Sequence, residues 1–392
     1  MYIFAFLHYL CILAEQYPAP ATLRGRKDNC KVFTFRVPNA HASTFMEQTK
    51  KRLLGMTLSQ IKEAVTGIGM PAFTAKQIAD WIYCKRVSDI SEMTNISLKN
   101  RETLAQHFET GFAPPVEAMR SVDGTIKYLY RVNGDKFVEA VYIPDGDRAT
   151  LCVSSQVGCK MGCLFCMTGK QRYTANLTAN EILNQIFALP EFERLTNIVF
   201  MGMGEPCDNL TNLLQTIEVL TAPYATAWSP HRLTVSTVGI RRGLKQLLDG
   251  GDYHIAVSLH HPDPSRRSEL MPAERGYSIT EVVELLKRYD FSHQRRLTFE
   301  YIVFKGVNDS NTDARKLLKL LEELDCRINL IRYHAIPNVP LDGVDGEAMT
   351  RLRDYLTANG IFTTIRSSRG EDIFAACGML STVKQNQQED KQ

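Results

Sequence analysis

Three cysteines stand within one short run, Gly158-Cys159-Lys160-Met161-Gly162-Cys163-Leu164-Phe165-Cys166, spaced C-x3-C-x2-C. Three thiolates are one short of the four that normally saturate a four-iron cluster. One iron would then stay open, able to chelate the amino and carboxylate groups of a methionine moiety. A zinc site wants four ligands, and no fourth Cys or His lies nearby in sequence. A zinc knuckle completed by a distant ligand is the structural alternative.

The rest of the cysteines read differently. Ten in a chain of 392 residues do not make a disulfide scaffold of the short secreted type. Cys11, Cys30, Cys84, Cys207 and Cys326 are scattered, as buried free thiols are. Hydrophobic residues at 44% and charged ones at 23% describe a soluble globular chain. A net charge of +3 is too mild to identify a nucleic-acid binder, although basic residues cluster at Lys50-Lys51-Arg52, Arg241-Arg242, Arg266-Arg267 and Arg295-Arg296. Residues 2–14 are apolar and Ala19-Pro20-Ala21 follows, faintly like a signal peptide. No Lys or Arg precedes the run, and it is too short to span a bilayer. Export would also carry the thiol motif into an oxidising compartment. The expectation is that 1–45 are a non-native or disordered extension, that Met46 is the native start, and that the protein is cytoplasmic with no membrane segment.

These side chains need elements to position them. Residues 46–115 are rich in helix formers, with Leu58, Ile61 and Ala64, then Ile78, Trp81 and Ile82, at helical spacing. They read as a small helical accessory domain, bounded by Pro114-Pro115. Residues 116–150 turn strand-like around Asn133-Gly134, a strong hairpin signal. From 151 to 380, short apolar runs at 151–154, 197–201, 232–236, 254–259, 297–304, 328–333 and 362–366 alternate with amphipathic stretches. One such stretch opens on Thr178 with Glu181 three residues on, a capping box. This α/β alternation predicts a parallel sheet forming a partial (β/α)6-type barrel, with active residues at the C-terminal ends of the strands. Residues 381–392 are polar and expected to be disordered.

The cysteine motif resembles that of the radical S-adenosylmethionine superfamily, and the likeness reaches further. Leu151-Cys152-Val153-Ser154-Ser155-Gln156-Val157-Gly158-Cys159, Met201-Gly202-Met203-Gly204-Glu205-Pro206, Arg369-Gly370-Glu371-Asp372-Ile373 and Ala375-Ala376-Cys377-Gly378 resemble the RlmN/Cfr family of RNA adenosine methyltransferases over roughly residues 50 to 380. The resemblance implies a [4Fe-4S] cluster on Cys159, Cys163 and Cys166. It implies S-adenosyl-L-methionine, two molecules per turnover, held by Gly204, Glu205, Ser236, Ser258, Leu259 and His260. Gly-Glu-Pro is by itself an equally good turn, and strand-end serines often serve only ordinary hydrogen bonds. In the last binding position the family has Asn where this chain has His334, which keeps one hydrogen bond but not the two-sided pairing of an amide.

The same resemblance makes Cys377 a methyl carrier. Carbon 2 of adenine is electron-poor and does not attack a methyl sulfonium, whereas a carbon radical adds there. One S-adenosylmethionine would methylate Cys377, and a second would yield the radical that removes hydrogen from that methyl group. The methylene then adds to adenine. Cys152 would release the linked RNA by forming a disulfide with Cys377, and Glu139 would take the adenine proton, unless it is simply a solvent-facing strand residue. Implied partners are 23S ribosomal RNA (adenosine 2503), transfer RNA (adenosine 37) and a thioredoxin-like reductase or flavodoxin-type electron donor, the enzyme itself being a monomer. The Cfr-like branch, acting at carbon 8, shares every motif named, although the overall pattern looks more like the carbon-2 branch. A non-catalytic iron–sulfur or zinc RNA-binding protein is the alternative from another class.

Overall fold

In the computed structural model, residues 50–292 and 295–382 are described; the expected extension at 1–45, and 383–392 of the expected tail, lie outside the described residues. Asn133 and Gly134 both take positive φ, 45° and 81°, the signature of a type I′ turn. That turn joins β2 (Ile126–Val132) to β3 (Lys136–Asp145), with β1 (Glu117–Arg120) antiparallel on the outer side of β2. β3 then pairs antiparallel with β4 (Arg148–Cys152), Val141 opposite Cys152.

β4 begins a parallel series with β5 (Asn197–Phe200), β6 (Leu233–Thr237), β7 (His254–Ser258), β8 (Leu297–Val303), β9 (Arg327–Arg332) and β10 (Thr363–Ile365). Each pairs with the next, giving one ten-stranded sheet in the order β10 to β1. All seven apolar runs read from the sequence are therefore strands, joined by six crossovers. β4 and β10 do not pair, so the barrel is partial and has a seam. Every residue of β8 is buried, as expected of a strand covered on both faces.

Eleven α-helices are described: α1 (Leu58–Gly67), α2 (Thr74–Ala79), α3 (Leu98–His107), α4 (Met167–Lys170), α5 (Ala179–Phe187), α6 (Leu210–Thr221), α7 (Arg241–Asp249), α8 (Pro264–Leu270), α9 (Ile279–Leu286), α10 (Asn311–Leu320) and α11 (Gly346–Ala358). The capping box at Thr178 is formed, with Thr178 and Glu181 each accepting the other's backbone N–H. α5 is also where the N-terminal helices attach. Asn180 Nδ2 donates to the carbonyls of Leu54 and Gly111, and Asn184 exchanges two 2.8 Å bonds with the backbone of Ala113. Tyr83 packs its ring 5.8 Å from Phe187 and donates its hydroxyl proton to the Met56 carbonyl. The helical segment and barrel thus share one hydrophobic core. No described helix is long and apolar enough to cross a membrane.

Candidate functional site

One cavity takes side chains from Phe200 of β5, Ser236 of β6, Ser258 of β7, Glu300 of β8 and Ile331 of β9, with Arg366 just past β10. Only a curled sheet brings five successive strands to one space. The loop after β4 closes it, contributing Cys159, Cys163 and Cys166. That loop is pinned where Leu164 N donates to Leu270 O at 2.9 Å and Met167 N to Gly378 O at 2.8 Å.

The three sulfurs fit an iron–sulfur cluster by their chemistry. Burial, aided by the neighbouring thiols, raises the pKa of all three, to about 12 for Cys159. Ionising three buried, adjacent thiols is costly without a cation to bind them, and a coordinating thiol ionises outright. Among the described residues no three His, Cys, Asp or Glu side chains are set to hold a single ion. A cluster instead takes one thiolate at each of several separate corners.

The expected cofactor residues divide between places. Gly204 and Glu205 line the cavity. Gly204 has φ 99°, and a Cβ there would lie 2.5 Å from Gln156 Cβ, so the close approach needs glycine. Buried Glu205 accepts from Thr237 Oγ1 (2.6 Å), Cys207 N (3.1 Å) and Val238 N (3.0 Å). Burial nevertheless raises its pKa, the three hydrogen bonds opposing it. Ser236, Ser258 and His260 line the same cavity. His260 takes φ 55°, held by Asn308 Nδ2 on its carbonyl (2.6 Å) and Ile302 N on Nδ1 (3.0 Å). Since Nδ1 accepts, the ring proton sits on Nε2. Burial, then Arg267, lowers the His260 pKa to about 3, keeping it neutral. Leu259 is wholly buried behind the wall and its carbonyl is taken by Arg267 Nε at 2.9 Å. His334 lines a second, neighbouring cavity, where Nε2 lies 3.0 Å from Ser368 Oγ.

That second cavity runs along the seam, from Arg148 and Thr150 of β4 to Ile331 of β9 and the stretch from Arg366 to Arg369. Cys377, exposed, lines both cavities. Its loop is fixed from several sides. Gly370 and Phe374, both left-handed, bracket a single 3-10 turn. Asp372 accepts from Ser121 Oγ (2.5 Å) and Val122 N (3.2 Å), and Asp123 accepts from Gly370 N (2.9 Å). The hairpin β1–β2 is thus a clamp for the Cys377 loop.

Cys152 is buried at the end of β4, and its pKa is pushed to about 12, by burial first and then by Cys377. Among the described residues every cysteine is a free thiol, so the expected Cys152–Cys377 disulfide is no standing part of the structure. A thiol must be reduced to accept a methyl group. Glu139 does not face solvent: its Oε1 is 3.0 Å from Lys127 Nζ and its Oε2 accepts from Ser381 N at 2.8 Å. Burial outweighs the lysine and raises its pKa. It lies on neither cavity wall, so the structure does not bring it together with the lining residues.

Two residues escaped the sequence reading. Arg366 lines both cavities, and proximity to Cys377, foremost among its neighbours, strengthens its hold on its proton. Its position at the end of the last apolar run was the available signal. Glu300 is buried on the cavity wall, held by Asn329 Nδ2 (2.9 Å), whose Oδ1 accepts from Thr364 Oγ1 (2.6 Å) across three strands in register.

Residues 153–321 match the Radical SAM superfamily, and residues 51–110 match the ribosomal RNA large subunit methyltransferase N-terminal domain. The chain is 65% identical over 338 residues to the probable dual-specificity RNA methyltransferase RlmN of Bacteroides fragilis (strain YCH46), covering 86% of this chain and 98% of the relative. It is 39% identical over 349 residues to the dual-specificity RNA methyltransferase RlmN of Desulfotalea psychrophila, covering 86% of this chain and 96% of that one. A radical SAM methyltransferase of Sphaerobacter thermophilus, known from its crystal structure, superposes with a TM-score of 0.80 at 38% identity, covering 84% of this chain and 99% of that one.

Proposed function

The chain belongs to the RlmN family of radical S-adenosylmethionine RNA methyltransferases, and we propose that it methylates carbon 2 of an adenosine in 23S ribosomal and transfer RNA through a methylated Cys377. The observation that supports this most is the position of Cys377, a free exposed thiol shared by the thiol-bearing cavity and the seam cavity. A group carried on that sulfur can be loaded on one side and delivered on the other. Cys159, Cys163 and Cys166 would hold the cluster. When bound, cluster and S-adenosylmethionine together supply an organic radical that removes hydrogen from a methyl group.

The chain's own residues do the rest. Gly204 and Glu205 bind the methionine end, and Ser236, Ser258 and His260 bind the nucleoside end. Arg366 stands beside Cys377 on the walls of both cavities, a fixed cation next to the sulfur that accepts the methyl group. Glu139 is the acceptor we assign for the adenine proton, since burial makes it more basic than an ordinary carboxylate. Its bond from Ser381 N ties it to the loop that carries Cys377. Cys152 is the second thiol, attacking the linked sulfur to release the RNA. The transient sulfur–sulfur bond so formed is reduced by a thioredoxin-like or flavodoxin-linked donor. We assign this work to a monomer in the cytoplasm, where such donors keep thiols reduced.

The test is reaction on RNA labelled with deuterium at adenosine carbon 2 or carbon 8. Loss of the carbon-2 label with methylation, and retention of the carbon-8 label, is expected. The reverse would move the enzyme to carbon-8 chemistry. Cys377→Ala is expected to keep its iron and sulfide yet form no methylated RNA, and product from that variant would end the carrier reading.

A further inference from the structure

Arg148 opens β4, Arg296 directly precedes β8 and Arg327 opens β9. They therefore share the N-terminal end of the barrel, opposite the loop of three thiols. All three are exposed, and none of their guanidinium groups has a hydrogen-bond or ion-pair partner among the described residues. Arg296 and Arg327 line one depression, with Asp325 as the carboxylate beside them. Arg296 interacts electrostatically with both Arg327 and Arg148. Arg295, on the same wall, is differently employed: it donates to the carbonyls of Leu247 and Leu248.

Three like charges held together, with Asp325 the one carboxylate lining the depression beside two of them, are unfavourable in the free protein, which suits them to a polyanion. Two further features select the polyanion. The Arg327 guanidinium lies 5.3 Å from the centre of the Phe362 ring, which is 54% exposed, so cation and aromatic face are offered together. Such a pair suits a phosphate with its unpaired base. Arg148 also lines the seam cavity that holds Cys377, so one of the three charges shares a cavity with the carrier thiol.

We propose that this arginine-rimmed end of the barrel grips the sugar–phosphate backbone of the RNA whose adenosine reaches Cys377 through the seam. The proposal rests on the RNA methyltransferase reading above. It places the RNA grip on the barrel itself, in addition to any contact made by the N-terminal helices.

The experiment measures binding of a pool of in vitro transcribed transfer RNAs to the full-length, cluster-loaded protein as salt is varied. Removing three phosphate contacts in Arg148→Ala/Arg296→Ala/Arg327→Ala is expected to lower the slope of log affinity against log salt by about 2 to 3 units, on the order of a hundredfold in affinity at 0.1 M salt. The triple Lys variant is expected to restore most of that slope. Phe362→Ala is expected to weaken binding with the slope unchanged. A folded triple Ala variant with the parental slope would overturn the assignment. Should that variant not fold, each single Ala variant is expected to lose about 0.7 to 0.9 of slope, and no loss in any of them is the refuting result. Failure of the wider reading looks different: the parent protein itself would then leave the pool unmethylated.

Discussion

Replacing Lys127 by Met tests whether the hairpin holds the Cys377 loop through charge. Lys127 and Glu139 are 6% and 4% exposed, and Nζ stands 3.0 Å from Oε1. At an effective dielectric of about 20, that separation corresponds to about 5 kcal/mol of attraction. Most of it only offsets the cost of taking both charges out of water. Removing one partner leaves the other buried and unpaired, so Lys127→Met should cost about 3–5 kcal/mol in urea unfolding at neutral pH. Lys127→Met/Glu139→Gln should return to within about 2 kcal/mol of the parent, because no lone charge remains and the amide oxygen still accepts from Ser381 N. The sign with pH follows from the raised Glu139 pKa. Stability from such a group is present below its unfolded value and lost as pH rises through the folded one. The Lys127→Met penalty should therefore shrink at pH 5 and grow toward pH 8. Protease cutting within residues 370–381 should rise in step, since Ser381 hangs on the same carboxylate. A penalty below about 1 kcal/mol, or a double variant as unstable as the two single penalties summed, would refute the reasoning.

Cys152→Ala should accumulate a covalent protein–RNA species on denaturing gels; finding only free RNA would count against its role in release. Gly204→Ala places a methyl group against Gln156, whose Oε1 accepts from Glu205 N. S-adenosylmethionine affinity should fall at least about tenfold, or about 1.4 kcal/mol, measured by equilibrium dialysis; parental affinity would show that the close approach is not needed. His260, a base with depressed folded pKa, contributes stability that is present above about 6.5 and lost as pH falls toward about 3. Between pH 6.5 and 5 the parent should lose about 1.6 kcal/mol more than His260→Gln in urea unfolding, and equal losses would contradict the buried neutral ring.

Much of the fold was legible because strand signals are local. Each apolar run from 151 onward is a strand within a few residues of its expected limits, and the Asn133-Gly134 turn has the expected handedness. Residues at strand ends could likewise be placed near one another, and Ser236, Ser258, Gly204 and Glu205 do share a cavity. What escaped was direction. His334 sits only two residues past β9, yet its side chain lines the seam cavity, and Leu259 points into the core. Glu139 lies on a strand whose alternation does not reveal that Lys127, on the adjacent strand, meets it in the interior. Arg366 acquires meaning only from sulfurs brought to it by segments far away in sequence. Long-range electrostatic partners leave no periodic trace in a chain.

The anchoring of the Cys377 loop has a mechanical consequence. Gly378 O is held by Met167 N, Leu380 O by Thr168 Oγ1, Ala375 N by Gly370 O and Met379 N by Ala376 O. With the backbone fastened on both sides, the Cα–Cβ bond of Cys377 is left as the pivot. Sulfur then has three staggered stations, and rotation about χ1 is the motion the fastened backbone leaves it beside the two cavities it lines. Such hops take picoseconds to nanoseconds in exposed side chains, against microseconds or longer for collective motions. A thiol set as a turnstile can change the cavity it faces without dismantling the wall in which it stands.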